Sequence, residues 1–487
     1  MTKKAIIIGS GIAGLALSVR LRLKKYEVHV FEKNDKFGGK LEEFRLGDYR
    51  YDFGPKLFTM PDYLVELFTI SNKDVEDYIK YEKLDISCKY FWEDGTCING
   101  YSNRKKLINE FSSKLSIDKK KLKKYFKSSE NKFRITQKIF IDKSLHKFST
   151  FFSLDTIIGF MNIFNLDIFK TLNNLNQKTF KNKKAIQFFN RFATYNGSNP
   201  YETSGIMSMI HHLEHDIGAY MPRKGMNEIP KSVFNLALDL GVKFHFNSNV
   251  DEIIVKEKSA KGIKIGLESH YANIVISNMD VNYTYEKLLR NIEKPAYLKN
   301  YEPSSSAVVF YWNINKSFKK LDLHNVIFSD DYLNEFNYIF NKKSISDDPT
   351  IYICSTSKII KSDAPPGCEN WFILINSPHD IGQDWEIIID KLRKNIIKKI
   401  NSLLNIDISK FILMEKILTP KDIDIKTLSK FGSLYGSSSN SLYSAFLRHP
   451  NFSKRVNKLY FCGGSVHPGG GIPLCLKSAK IVSDLIK

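Results

Sequence analysis

Ala5-Ile6-Ile7-Ile8-Gly9-Ser10-Gly11-Ile12-Ala13-Gly14 is the stretch that decides how this chain is read. Ala5 to Ile8 make a short buried strand, the glycine turn follows without a break, and Leu15, Leu17, Val19, Leu21 and Leu23 continue as a helix. In such a strand–turn–helix unit Gly9 permits the tight turn, Gly11 admits a pyrophosphate close to the backbone, and Gly14 lets the helix pack on the strand. The unpaired N–H groups of the first turn, where Ile12 and Ala13 stand, lie at the positive end of the helix dipole and suit phosphate oxygens. A second strand, Glu27 to Phe31, ends in Glu32 followed by Lys33, close to the roughly 20-residue offset at which an acidic side chain meets a ribose hydroxyl. A glycine turn alone is weak evidence, but strand, helix, second strand and terminal acid together specify an α/β, Rossmann-like nucleotide-binding unit.

The sequence then asks for a longer ligand than one nucleotide. Gly38-Gly39-Lys40 brings a second glycine pair soon after the acid, and Tyr51-Asp52-Phe53-Gly54-Pro55 repeats the signal. At the far end, Leu459-Tyr460-Phe461-Cys462-Gly463-Gly464-Ser465-Val466-His467-Pro468-Gly469-Gly470-Gly471-Ile472-Pro473 runs from a strand through a glycine loop into a helix. The N-terminal region resembles the flavin-containing amine oxidase superfamily. The Asp52, Gly54, Pro55 arrangement and the C-terminal loop resemble its carotenoid desaturase branch, the phytoene desaturases and their relatives.

That resemblance implies FAD as cofactor. Gly463 and Gly464 would pass the pyrophosphate and ribityl chain, Gly470, Gly471, Ile472 and Pro473 would lie along the isoalloxazine ring, and Val250, in Asn249 to Ile253, would sit beside the adenine. The implied reaction removes hydrogen across a C–C bond of a carotenoid or its isoprenoid precursor, a hydride passing to flavin N5 as a proton is lost. The protein then has to position the chain, exclude water and tune the flavin. No catalytic acid or base stands out: His467 is near the flavin by motif, either as a proton relay or as a packed, hydrogen-bonded histidine. Two departures from the family pattern are Ser465, where many relatives carry an acid, and Lys224, which replaces one glycine of a pair in Tyr220-Met221-Pro222-Arg223-Lys224-Gly225. A serine hydroxyl can still bond a phosphate or ribityl oxygen.

At 487 residues the chain exceeds the size of a single core. The expected architecture is a discontinuous FAD-binding domain (1–80, 225–300 and 455–487) and an interleaved α+β substrate domain (81–224 and 301–454). Alternating strands are expected at Ala307 to Trp312 and Trp371 to Asn376, with an amphipathic helix over Glu386 to Leu404. The six cysteines show no metal-ligand spacing and read as free thiols in a reducing compartment; no metal is expected. No apolar segment precedes the strand at Ala5, which argues against secretion and for a cytoplasmic location.

Lys and Arg number 73 against 52 Asp and Glu, a formal charge of +21. No nucleic-acid motif accompanies it, so nucleic acid is not an expected partner. The basic residues thicken from Lys119 to Arg191 around Phe140, Phe148, Phe151, Phe152, Ile157, Ile158, Phe160, Met161, Ile163, Phe164, Ile168 and Phe169, broken by Asp155 and Asp167. This is too interrupted for a transmembrane helix. It reads as helices that line an apolar substrate tunnel, as ordinary helical core, or as a monotopic contact with anionic lipid on the inner membrane, the route by which a hydrocarbon substrate would enter. The alternatives are a carotenoid isomerase or retinol saturase, which share both ends of the chain, or a flavin amine oxidase, which would need an aromatic cage for a polar amine. The C-terminal loop leans towards desaturases of modified (hydroxylated) or shorter, C30 carotenoids; substrate, number of steps and electron acceptor are left open.

Overall fold

The computed structural model describes residues 2–144, 146, 162–299, 301–441 and 447–487. Its first layer is a five-stranded, all-parallel sheet with spatial order Lys243–His245, Glu27–Phe31, Lys4–Ile8, Ile274–Ser277, Leu459–Phe461. Numbered along the chain these strands lie 3-2-1-4-5, the doubly wound order that leaves a crevice at the carboxyl ends of the central strands. The Ile12–Leu23 helix is buried from Ile12 to Leu21, and it packs against the Glu228–Asp239 and Ile472–Leu485 helices. The fifth strand and the last of these helices come from the C-terminus, so the chain closes its first lobe only with its final residues.

A second, seven-stranded sheet has the order Ile412–Leu418, Ser306–Ile314, Glu369–Ser377, Ile351–Cys354, His324–Ile327, Ile86–Phe91, Cys97–Tyr101. All its pairs are antiparallel except His324–Ile327 with Ile86–Phe91. The alternating strand expected at Ala307 to Trp312 forms as Ser306–Ile314, but Ala307 to Trp312 is apolar throughout and all nine residues are buried. Val308, Phe310 and Trp312 pack under the Trp385–Leu404 helix, whereas Ala307, Val309 and Tyr311 join the core shared with the nucleotide-binding lobe. Alternation here separates two cores, not core from water.

The lobes are stitched by a small sheet of Phe58–Thr59, Ala219–Pro222 and Tyr81–Lys83. It takes Phe58–Thr59 from before the boundary expected near residue 80 and its other two strands from after it, so that boundary does not separate two clean bodies. Between residues 242 and 277 the chain forms five short strands, Lys243–His245, Glu252–Lys256, Ser259–Ile265, Glu268–Tyr271 and Ile274–Ser277.

The basic run at Lys119 opens a helix, Lys119–Thr136, that is amphipathic: Leu122, Tyr125, Phe126 and Phe133 are buried, while Lys119, Lys120, Lys121, Lys123, Lys124 and Lys127 face solvent. Farther along, Lys132 is buried and paired with Asp167 at 2.7 Å. The expected apolar residues Phe148, Phe151, Phe152, Ile157, Ile158, Phe160 and Met161, with Asp155, lie outside the described residues, as does the side chain of Phe164. Among the described residues no helix is long and apolar enough to cross a membrane.

Candidate active site

One cavity of about 880 Å³ runs from the glycine turns into the second sheet, near the top of the roughly 300–1,000 Å³ range of small-molecule sites. It is lined by Gly9, Gly11, Ile12, Ala13, Glu32, Lys33, Gly38, Gly39, Lys40, Gly54, Pro55, Val250, Gly463, Gly464, Ser465, His467, Gly470, Gly471, Ile472 and Pro473. Of the residues read as cofactor contacts, Gly14 does not line it. A Cβ at Gly14 would stand 2.3 Å from the Gly9 carbonyl oxygen, so its glycine serves the packing of helix on turn.

The two ends of the chain meet on Asn278, just after the fourth strand. Its Oδ1 accepts from the Gly14 N–H at 3.2 Å and its Nδ2 donates to the Cys462 carbonyl at 3.0 Å. A Cβ at Gly11 would approach that same Oδ1 to 2.9 Å, and one at Gly463 would approach Nδ2 to 2.8 Å. The Gly38–Gly39 turn is tied in through the Gly38 N–H, which donates to the Ser10 carbonyl at 3.0 Å. Glu32 braces the same loop: its carboxylate accepts from the N–H and the hydroxyl of Ser10 at 2.8 and 2.9 Å, and from the Asn34 N–H at 3.0 Å. A carboxylate has about four acceptor positions, so one is left for a ribose hydroxyl.

These features fit FAD. Gly11 caps its helix without a side chain, no acid stands in the first turn, and three glycine segments form one long concave backbone surface. Ser465 directs its Oγ to the Val281 N–H at 3.0 Å, accepting there while its own proton remains to be donated. Gly470 has a reason the sequence did not show, since a Cβ there would press on Tyr435 at 3.0 Å; beside Gly471 the space is open. Two lysines line the cavity, Lys56 buried and Lys40 half-buried. Lys40 donates to the Leu434 carbonyl at 2.9 Å, and Lys56, directly after Gly54-Pro55, donates to the Asp52 carbonyl and stands 4.1 Å over the Phe372 ring. Burial lowers the pKa of both.

His467 has the surroundings of a packed histidine. Its Nε2 bonds the Lys143 carbonyl at 2.8 Å, and burial pushes its pKa down to about 4. Among the described residues no cluster of His, Cys, Asp or Glu could hold a metal ion.

Beyond the glycine turns the wall is largely apolar, with Phe53, Leu57, Phe133, Met207, Val309 and Leu374 among its members. It also carries a polar cluster. Glu214 is 1% exposed and accepts from Ser87 Oγ at 2.6 Å and from the Tyr195 hydroxyl, while Arg191 donates to Tyr90 at 2.9 Å and stands 3.9 Å from the Glu214 carboxylate. Burial opposes ionisation of Glu214, yet His215, Arg191 and the Ser87 and Tyr195 hydroxyls together hold its carboxyl below the usual range. Arg191, read as the end of a basic lipid-facing stretch, thus belongs to the cavity. The run His211-His212-Leu213-Glu214-His215-Asp216 was the available signal for this cluster; His324, on a strand with no distinctive neighbours, had none.

Comparison with known proteins fits this geometry. The family described as flavin containing amine oxidoreductase matches residues 12–487. The chain is 50% identical to a 1-hydroxycarotenoid 3,4-desaturase from Flavobacterium sp. (strain P99-3), over 99% of each chain. It is 30% identical to a 4,4'-diaponeurosporene oxygenase of Staphylococcus aureus (strain MRSA252), over 100% of this chain and 98% of that one. Among solved structures, cyclohexylamine oxidase from Brevibacterium oxydans IH-35A superposes with a TM-score of 0.61 at 14% identity, covering 100% of both chains, which speaks to fold alone. The chain belongs to the flavin containing amine oxidoreductase family. Within it, the protein is an FAD-dependent oxidoreductase of the carotenoid desaturase branch.

Proposed function

We propose that this protein desaturates a 1-hydroxylated acyclic carotenoid, removing two hydrogens across the C3–C4 bond and extending the conjugated polyene. The observation that carries the reading is the continuity of one cavity from a dinucleotide cradle to an apolar wall, joined to 50% identity with a 1-hydroxycarotenoid 3,4-desaturase. FAD, when bound, supplies the hydride acceptor. The chain's own residues do the rest. The turns at Gly9 to Gly14, Gly38-Gly39 and Gly463-Gly464 hold the dinucleotide, and Glu32 takes the ribose. Gly470 to Pro473 would lie beside the flavin, and Phe53, Met207 and Leu374 would hold a polyene in the cavity and exclude water. A hydrocarbon gives the protein almost nothing to hydrogen-bond, so shape carries orientation, and errors of about 1 Å cost roughly a hundredfold in rate.

The substrate reaches the cavity from a lipid surface. The exposed basic face of the Lys119–Thr136 helix, suited to anionic headgroups, supports a monotopic contact with the cytoplasmic face of the inner membrane. The test of the reaction is to give the flavin-loaded protein a 1-hydroxylated carotenoid in lipid vesicles under an added electron acceptor. A product lighter by two hydrogens and absorbing at longer wavelength is expected; unchanged pigment with every carotenoid offered would overturn the assignment.

A further inference from the structure

His324 does not fit a site built only for hydrocarbon. It lies on the His324–Ile327 strand, is 2% exposed and lines the cavity. Its Nδ1 is paired with the Tyr352 hydroxyl at 2.8 Å, whereas its Nε2 is buried with no hydrogen-bond partner among the described residues. A buried polar atom left unpaired is costly, and few native sites tolerate one without a reason. The neighbouring polar side chains have other partners: Glu214 accepts from Ser87 and Tyr195, and Arg191 donates to Tyr90. The histidine is neutral, because burial drives its pKa down to about 4. If the Tyr352 hydroxyl donates to Nδ1, Nε2 carries the proton and must donate; if Nδ1 donates, Nε2 must accept. A hydroxyl satisfies either tautomer, because it can both donate and accept. A methyl group or an alkene satisfies neither.

We propose that His324 Nε2, with the ring oriented by the Tyr352 hydroxyl at Nδ1, binds the tertiary hydroxyl on the end group of the substrate and makes this wall of the cavity select hydroxylated over unmodified polyenes. The proposal rests on the carotenoid desaturase reading and adds the residue that recognises the polar end. C1 is separated from C3 by a single carbon, so a grip on the C1 hydroxyl also fixes the position of the bond to be oxidised. Tyr352 acts through His324 as a positioning residue.

The experiment compares two acyclic carotenoids of equal length, one with the C1 hydroxyl and one without, on the flavin-loaded full chain. Binding is read from the shift in carotenoid absorption and turnover from product spectra. Wild type is expected to bind and turn over the hydroxylated compound preferentially. His324→Leu should lower the ratio of kcat/KM values by about tenfold to a hundredfold, through the hydroxylated substrate, with flavin content retained. His324→Gln, which keeps a donor and an acceptor, should recover part of the ratio. Tyr352→Phe is the second variant, in case leucine at 324 does not fold, and should reduce the same ratio less. A ratio that stays constant in flavin-replete variants, both substrates falling together, would overturn the proposal, as would equal affinity of wild type for the two compounds. Preferential binding of the hydroxylated compound without turnover would instead remove the desaturase reading and leave the hydroxyl site standing.

Discussion

Asn278 shows how one side chain can hold a two-ended cofactor site together. It joins the Gly14 N–H to the Cys462 carbonyl, and the glycines at 11 and 463 leave room for its amide. Asn278→Ala removes both bonds, each worth about 0.5–1.5 kcal/mol, so a loss of roughly 1–3 kcal/mol in stability is expected. Flavin content should fall with it, measured as flavin absorbance per protein after gel filtration; an Asn278→Ala protein with full flavin and unchanged unfolding would remove Asn278 from this role. Gly11→Val is predicted to fail more completely, since its side chain meets Asn278 Oδ1 and fills the phosphate approach; stoichiometric flavin in the folded variant would sink the assignment of this turn. The glycine turns were readable in the sequence because their meaning is local: strand, turn and helix follow within a dozen residues. The family resemblance returns Ser277-Asn278-Met279-Asp280 to the FAD domain, but the bridging role of Asn278 was not readable, because its bond to Gly14 spans 264 positions. His324 escaped for the same reason.

At the scale of elements, periodicity told which segments form helices and strands but not what covers them. The Trp385–Leu404 helix was legible from its apolar spacing, and the Ser306–Ile314 strand from its run of β-branched and aromatic residues, yet only the fold shows what covers each face of that strand. Gly470 teaches a related point, since its neighbour is Tyr435, brought in by a distant loop. The Lys119–Thr136 helix gives the element-scale prediction. Its buried stripe of Leu122, Tyr125 and Phe126 fixes it to the protein, and its lysines are left to meet a charged surface. Binding to anionic vesicles should weaken as salt is raised, because the Debye length shrinks from about 10 Å at 0.1 M to about 3 Å at 1 M. Exchanging Lys120, Lys121, Lys123 and Lys124 for Gln should weaken binding at low salt while leaving flavin content intact. Equal partitioning of wild type onto neutral and anionic vesicles at every salt concentration would show that the basic face does not meet lipid.

The molecule as a whole depends on histidines that remain neutral where its lobes and termini meet. His467 bonds the Lys143 carbonyl, His449 packs on Tyr285 and Phe461, and His324 sits in the cavity wall; burial holds their pKa values near 4, 3 and 4. Unfolded, each would titrate near 6.5. Between these limits the unfolded chain binds protons that the folded chain refuses, so stability rises with pH and is lost as pH falls below 6.5. Each group contributes up to about 1.4 kcal/mol per pH unit inside its window. The melting temperature is therefore expected to be flat above pH 6.5 and to fall steeply from there towards pH 4, ahead of most carboxylate protonation. Because His467 stands inside the glycine loop that runs from Gly463 to Gly471, flavin should be released over the same interval, so fluorescence of freed flavin and thermal unfolding should share one pH profile. His449→Gln separates this account from general acid sensitivity. Gln carries no proton to refuse, so the variant, though less stable at neutral pH, should show a shallower slope between pH 6.5 and 4. A parallel slope in wild type and variant would mean that the acid lability comes from other groups.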